Sequence, residues 1–315
     1  KLGRRPFDCQ VHLYDYNQPE MNGVVADIRS VLDRYPERYA VGETFMDQPE
    51  IAASYCGPGK LHAAFNFAML KSRWNPAKYL RIIQQWEEVL PDDAWPNYVL
   101  NNHDNPRSAT RFRAAQDDAQ LKVAAAMLLT LRGTPFLYQG EEIGMRDVRV
   151  KRSEMQDPLG IHYWPLPVGR DGCRSPMQWN NGENAGFSTG TPWMKLHSNF
   201  QTRNVEAQQA DPNSLLNFYK TLMQLRKSNP ALQRGMFVPL NHDPQRVLAY
   251  LRKDAGQTIL VALNFARRPS KLAVSHELTR GGWELLLSNR ERRGEIFEKG
   301  WLKLKGFEAC LLIQK

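Results

Sequence analysis

The chain has 315 residues, of which 42% are hydrophobic and 24% charged, enough for one large domain or two smaller ones with a buried core. No apolar stretch approaches the ~20 residues that span a bilayer, which excludes a helical membrane protein. The net charge of +9 comes from dispersed lysines and arginines, and the densest cluster, "RERR" at 290–293, contains a glutamate. A solvated basic surface follows, with no nucleic-acid partner.

The N-terminus, "KLGRRPFDCQVHLYDYNQPE", is basic but lacks the apolar segment of a signal peptide and an initiator Met, so a chain that begins mid-protein is expected. Cys9, Cys56, Cys173 and Cys310 are scattered without a CxxC pair. They predict neither a disulfide framework nor a metal site, but reduced thiols in a cytoplasmic protein.

In chain order, Tyr39 to Val41 is a short apolar run leading into Glu43, and "LHAAFNFAML" (61–70) is a second candidate strand. The segment 76–90 predicts a helix, with Pro76 in its first turn, Tyr79, Ile82, Ile83, Trp86, Val89 and Leu90 at helical spacing, and Pro91 as its stop. "NYVL" (97–100) is a strand ending in the polar cluster "NNHDNPR". A helix over 117–133 has acids at its start and Gly133 as its C-cap. "TPFLYQGEE" (134–142) is a strand ending in carboxylates, and 211–230 predicts a helix with Asp211 as N-cap and Pro230 as its end.

Alternating strands and helices predict parallel βα units. About three or four are present, where a closed barrel needs eight. The expected fold is therefore α/β: the C-terminal half of a TIM (β/α)8 barrel over 1–234, from about strand 5 to helix 8. A long loop at 145–211, rich in Gly, Pro, Asn and Trp, interrupts it. From 235 to 315 helical periodicity disappears. "RVLAYLRKD", "QTILVALNFA", "WELLLSN" and "FEACLLIQK" predict a small antiparallel β-sandwich domain.

Glu43, Asp104 and Glu141 or Glu142 each follow a different strand and would converge on one pocket of a barrel. Paired carboxylates in a pocket suit glycoside hydrolysis, one as acid and another as nucleophile or base. His103 could bond a sugar hydroxyl, and Phe45, Phe65, Phe67, Trp164 and Trp179 could stack on pyranose faces. Against this, a single Glu after a strand is more often a solvated or capping residue, and Phe65 is better read as core.

Five segments carry a resemblance: "HLYDYNQPE" (12–20), "VGETF" (41–45), "LNNHDNPR" (100–107), "GTPFLYQGEEIGM" (133–145) and "GRDGCRSPMQW" (169–179). They resemble the α-amylase superfamily (glycoside hydrolase family 13), in its α-glucosidase and oligo-1,6-glucosidase branch. The resemblance implies Glu43 as general acid/base and Asp104 as the transition-state-stabilising carboxylate. It implies His103, Arg170, Phe45 and Arg107 as substrate-binding residues, with Arg170 holding the non-reducing terminal glucose. It implies a retaining α-glucosidase acting on short oligosaccharides or disaccharides, with no cofactor and no metal. The superfamily's nucleophile, an Asp in a "GFRxD"-type segment after the fourth strand, has no counterpart here, nor has its calcium-binding loop. The chain is thus expected to be a fragment, inactive alone. Trehalose synthase, sucrose isomerase and a non-catalytic amylase-like protein are the alternatives.

Overall fold

The computed structural model describes residues 9–15, 17–44, 48–115, 117–241, 244–280, 282–293 and 296–315. Helix α1 (Met21–Leu32) leads into strand β1 (Val41–Gly42), and α2 (Pro49–Ser54) precedes β2 (Ala63–Ala64). These strands pair in parallel, Val41 opposite Ala63 and Gly42 opposite Ala64. The next parallel segment joins by a bridge between Asn66 and Tyr98, and the fourth follows through the Thr134 amide, which donates to Pro96 O at 3.2 Å. Three successive parallel segments thus lie side by side in chain order, and a fourth joins the last of them by a single amide.

The strands are far shorter than the apolar runs suggested. In 61–70 only Ala63–Ala64 pairs regularly, and 134–142 forms no strand. Only the Thr134 amide ties 134–142 to the third segment, and one hydrogen bond makes no ladder. Gly133 is also reassigned. The helix stops at Thr130 with Leu131 as its cap. Gly133 has φ +117°, and a Cβ there would stand 2.2 Å from Pro96 O. Its missing side chain lets the fourth segment lie against the third.

Helix α3 (Pro76–Val89) is capped by Asn75, whose side chain accepts from the Lys78 amide, and its buried face carries Tyr79, Leu80, Ile82, Ile83 and Trp86. After α4 (Ser108–Arg111) comes α5 (Ala119–Thr130), buried along nearly its whole length. The loop at 145–211 is ordered and holds α6 (Pro158–His162) and α7 (Val205–Ala210). Helix α8 (Leu215–Ser228) starts at Ser214, whose hydroxyl accepts from the Asn217 amide, rather than at Asp211. Pro230 does not end the chain's helical run but opens α9 (Pro230–Arg234), a position where its missing N–H costs nothing.

The C-terminal region forms a five-stranded antiparallel sheet in the order β3-β4-β5-β9-β7. Its strands are β3 (Met236–Pro239), β4 (Val247–Asp254), β5 (Gln257–Asn264), β7 (Trp283–Ser288) and β9 (Ala309–Gln314). A two-stranded sheet of β6 (Ser270–Ala273) and β8 (Trp301–Leu304) covers one face, and α10 (His276–Arg280) lies between β6 and β7 in the chain. Along β4, Val247, Ala249 and Leu251 meet the smaller sheet's Leu272, Leu302 and Leu304. Leu248 and Tyr250 join the core of α3, α5 and α8. With both faces covered, β4 loses polar alternation and reads as a continuous apolar run.

Arg252 is fully buried where the two regions meet. It donates to Thr130 O at the end of α5, to Leu232 O at 3.2 Å and to Gly235 O at 2.8 Å. Thr130 Oγ1 and the Tyr250 hydroxyl lie 2.6 Å apart, and Trp74 Nε1 donates to Phe265 O at 2.9 Å. Arg252→Met keeps the bulk but strips three buried carbonyls of a donor. It should cost roughly 2–4 kcal/mol, the loss being tempered because a buried charge is also removed. Urea unfolding midpoints measure this, and an unchanged midpoint would show that Arg252 does not hold the junction.

Candidate active site

Glu43 is exposed just beyond β1, where the strand's last pairing residue, Gly42, releases it. It lines a cavity of about 220 Å³ with Phe65, Asn101, Asn102, His103, Phe136 and Tyr138. These residues lie at or just beyond four successive segments, so all four meet at one place. Phe65 packs edge-on to Phe136 at 4.9 Å and stacks on Phe67 at 5.5 Å, so its ring serves both the cavity wall and the packing beneath it. Phe45 lies outside the described residues.

Asp104 sits next to His103 and is held from the long loop. Its Oδ1 accepts from Arg170 Nη1 at 3.1 Å and from Arg174 Nη2 at 2.7 Å, with His103 Nε2 at 3.6 Å. Arg170 is itself held. Its Nη2 and Nε donate to the two oxygens of buried Asp157 at 2.7 and 3.1 Å, and its amide donates to Asp157 Oδ2 at 2.8 Å. These bonds raise the Arg170 pKa above its ordinary value and depress that of Asp157. Asp171 in turn accepts from the Gln156 and Asp157 amides. Cys173 lies under this layer, its thiol pushed up to about 11 by burial, which keeps it unreactive.

Arg107 stands elsewhere than a substrate-binding residue would. It is 2% exposed, donates from Nη1 to Gln139 O and lies 4.8 Å from the Tyr138 ring centre. Its Nε and Nη2 have no hydrogen-bond partner among the described residues, and burial lowers its pKa. It packs beneath the loop that carries Tyr138. Glu141 does not converge on the cavity either: it is buried, accepting from the Tyr138 amide at 3.4 Å and from the Tyr219 hydroxyl on α8 at 3.2 Å. Trp164 and Trp179 are 44% and 49% exposed and line no wall of the cavity around Glu43.

Arg174 and Asp157 were not singled out in the sequence. Arg174 had a signal, as the second arginine of "GRDGCR". Asp157 reads from sequence as a helix start, and it is one: its Oδ1 accepts from the Leu159 amide at 3.4 Å. Its grip on Arg170 is a tertiary contact that local pattern does not carry. Among the described residues, no group of three or more His, Cys, Asp or Glu side chains is placed to hold a metal, and no helix is long and apolar enough to cross a membrane.

With parallel segments in chain order, Glu43 and Asp104 beyond two of them and an antiparallel domain behind, the chain belongs to the α-amylase family. Residues 4–235 match the α-amylase catalytic domain and residues 237–307 the maltogenic amylase C-terminal domain. The fold is accordingly the C-terminal part of a (β/α)8 barrel followed by an antiparallel β domain. A probable α-glucosidase of Rhizobium meliloti (strain 1021) is 34% identical over 267 residues, covering 83% of this chain and 48% of that protein. The oligo-1,6-glucosidase of Parageobacillus thermoglucosidasius is 30% identical, covering 94% and 58%. The crystal structure of an α-glucosyl transfer enzyme, XgtA, superposes with a TM-score of 0.89 at 32% identity, covering 98% of this chain and 57% of that one. The chain thus spans about half the length of the curated relatives it matches.

Burial pushes the Glu141 carboxyl up to about 7 from its ordinary 4.5. Above the unfolded value the unfolded chain ionises first, so folding stability declines as pH rises from about 4.5 and levels off above about 7. Glu141→Gln keeps a partner for Tyr219 and has no proton to lose. Relative to the variant, the parent should lose roughly 2–4 kcal/mol between about pH 4 and about pH 8, by denaturant midpoints. Parallel pH profiles would place Glu141 in contact with solvent.

Proposed function

We propose that the protein of which this chain forms part is a retaining α-glucosidase, acting on terminal α-glucosidic bonds of short oligosaccharides or disaccharides. The observation that carries this reading is the treatment of Asp104. Its carboxylate is gripped by two arginines beside His103, which lines the same cavity as Glu43. A carboxylate so paired is fixed in place, as facing a cationic transition state requires.

In this reading the catalytic nucleophile is a carboxylate outside the chain. It attacks the anomeric carbon while the glycosidic C–O bond breaks, and Glu43 gives its proton to the leaving oxygen. Glu43 then takes a proton from water as the water oxygen attacks the same carbon and releases the enzyme carboxylate. Asp104 faces the oxocarbenium-like charge in both steps. Arg170 closes the pocket behind the terminal glucose and makes the enzyme exo-acting. Transfer to a sugar acceptor instead of water is the second reading, favoured by the likeness to an α-glucosyl transfer enzyme. The ratio of transfer product to free glucose separates the two.

Glu43→Gln in the complete enzyme keeps the shape but removes the proton. Turnover of maltose should fall by ~10²–10⁴-fold, whereas the first step with a fluoride or nitrophenolate leaving group is far less affected. A glucosyl-enzyme should accumulate, and azide, which needs no deprotonation, should restore turnover. Equal loss for all leaving groups with no azide effect would remove Glu43 from this role. Arg170→Ala should lower kcat/KM by roughly 2–4 kcal/mol. A change under about threefold would place Arg170 outside the pocket.

A further inference from the structure

Two arginines hold Asp104, and their geometries differ. Arg170 is shared: most of its donors serve Asp157, and only Nη1 reaches Asp104. Arg174, at the end of the single turn Asp171–Arg174, spends its fork on two adjacent residues, one carboxylate and one backbone carbonyl. Its Nη2 donates to Asp104 Oδ1 at 2.7 Å and its Nε to the His103 carbonyl oxygen at 2.8 Å. One rigid plane thus joins the carboxylate to the backbone of the residue before it. A lysine, with a point charge on a flexible stem, cannot fix both at once.

The two cations converge on the same oxygen, Oδ1. Among the described residues no side chain or amide donates to Oδ2. A carboxylate clamped through one oxygen cannot rotate freely about its Cβ–Cγ bond, and its second oxygen keeps both acceptor positions open. The Cys173 thiol, with one proton, lies 3.0 Å from the Arg170 carbonyl oxygen and 3.3 Å from that of His103, so the bond that fixes the His103 carbonyl is the one from Arg174.

We propose that Arg174 is the positioning residue of the charge-stabilising carboxylate: it consumes Oδ1 of Asp104 and presents Oδ2 to the substrate. This rests on the role given to Asp104 above. It assigns the two arginines different work. Arg170 binds the terminal sugar in ground and transition state alike, whereas Arg174 acts only through Asp104 and hence on charge that develops in the transition state.

The test uses the complete enzyme with maltose and a nitrophenyl α-glucoside. Arg174→Ala should lower kcat on the order of 10²-fold, the worth of one preorganised charge-stabilising group, with KM changed by less than about threefold. Guanidinium ion at about 50 mM should restore part of that loss, by refilling the fork's place beside Oδ1. Arg174→Lys, which keeps charge and bulk, should lose about tenfold and gain nothing from guanidinium. In an Asp104→Asn background Arg174→Ala should have little further effect, because the group it positions is already gone.

A rise in KM with kcat intact would make Arg174 a substrate contact and overturn the proposal. So would a full additive loss in the Asp104→Asn background, or a loss that guanidinium does not relieve. These outcomes are separate from failure of the glucosidase reading. If Glu43→Gln behaves as an acid/base variant while Arg174→Ala keeps its kcat, the role of Arg174 alone falls. If the unsubstituted complete enzyme cleaves no α-glucoside, the reading beneath it falls first.

Discussion

The site depends on a relay of paired charges in which each group is fixed by the next. Backbone amides of 156 and 157 bind Asp171, Asp157 grips Arg170, and Arg170 with Arg174 grips Asp104. The relay crosses from the long loop to the end of a parallel segment. A surface ion pair is worth little because water screens it and long side chains must be ordered. Here the side chain of Asp157 has no solvent exposure and those of Asp104, Arg170 and Arg174 have 18%, 27% and 26%. Removing one member of such a set leaves its neighbour partly buried and unpaired, which is the costly outcome. The loop is therefore built into the site rather than laid over it.

Much of the architecture was legible because it rests on local rules. Helix α3 is announced by its apolar spacing, by Pro76 at its start and by Pro91 beyond its end, and the β4–β5 hairpin by Asp254–Gln257 around a glycine at φ +82°. The helix after residue 211 was legible as a helix but not in its bounds, because Asp211, Ser214 and Pro230 all offer terminus chemistry and only packing selects among them. The barrel strands were over-read. Phe67, Met69 and Leu70 are as buried as the paired Ala63 and Ala64, so hydrophobicity marks the core there and not the ladder. Strands β6 and β8 were missed: with four residues each, one face exposed and lysines in both, they give little periodicity to detect.

The candidate site was legible where chemistry is concentrated in sequence. Glu43, His103, Asp104 and Arg170 each stand in a short motif, and the cavity and the ion pairs connect them. Arg107 and Glu141 stand in the same motifs but are turned inward, Arg107 against Tyr138 and Glu141 against Tyr219. A motif fixes which residues lie near a segment's end, but the local turn and the packing around it decide which way each side chain points. Asp157 was invisible because its partner lies 13 residues away across a turn.

Helix α5 is wrapped on every side, its residues sharing one core with α3 and α8 on the barrel side and with Leu248, Tyr250 and Val261 of the β domain. It belongs to neither region alone. The border between the two family matches at residues 235 and 237 is thus a border in ancestry and not in mechanics. Cutting the gene there would bare a helix with no polar face to turn to water, so the C-terminal sheet cannot be exchanged or trimmed as a passive appendage.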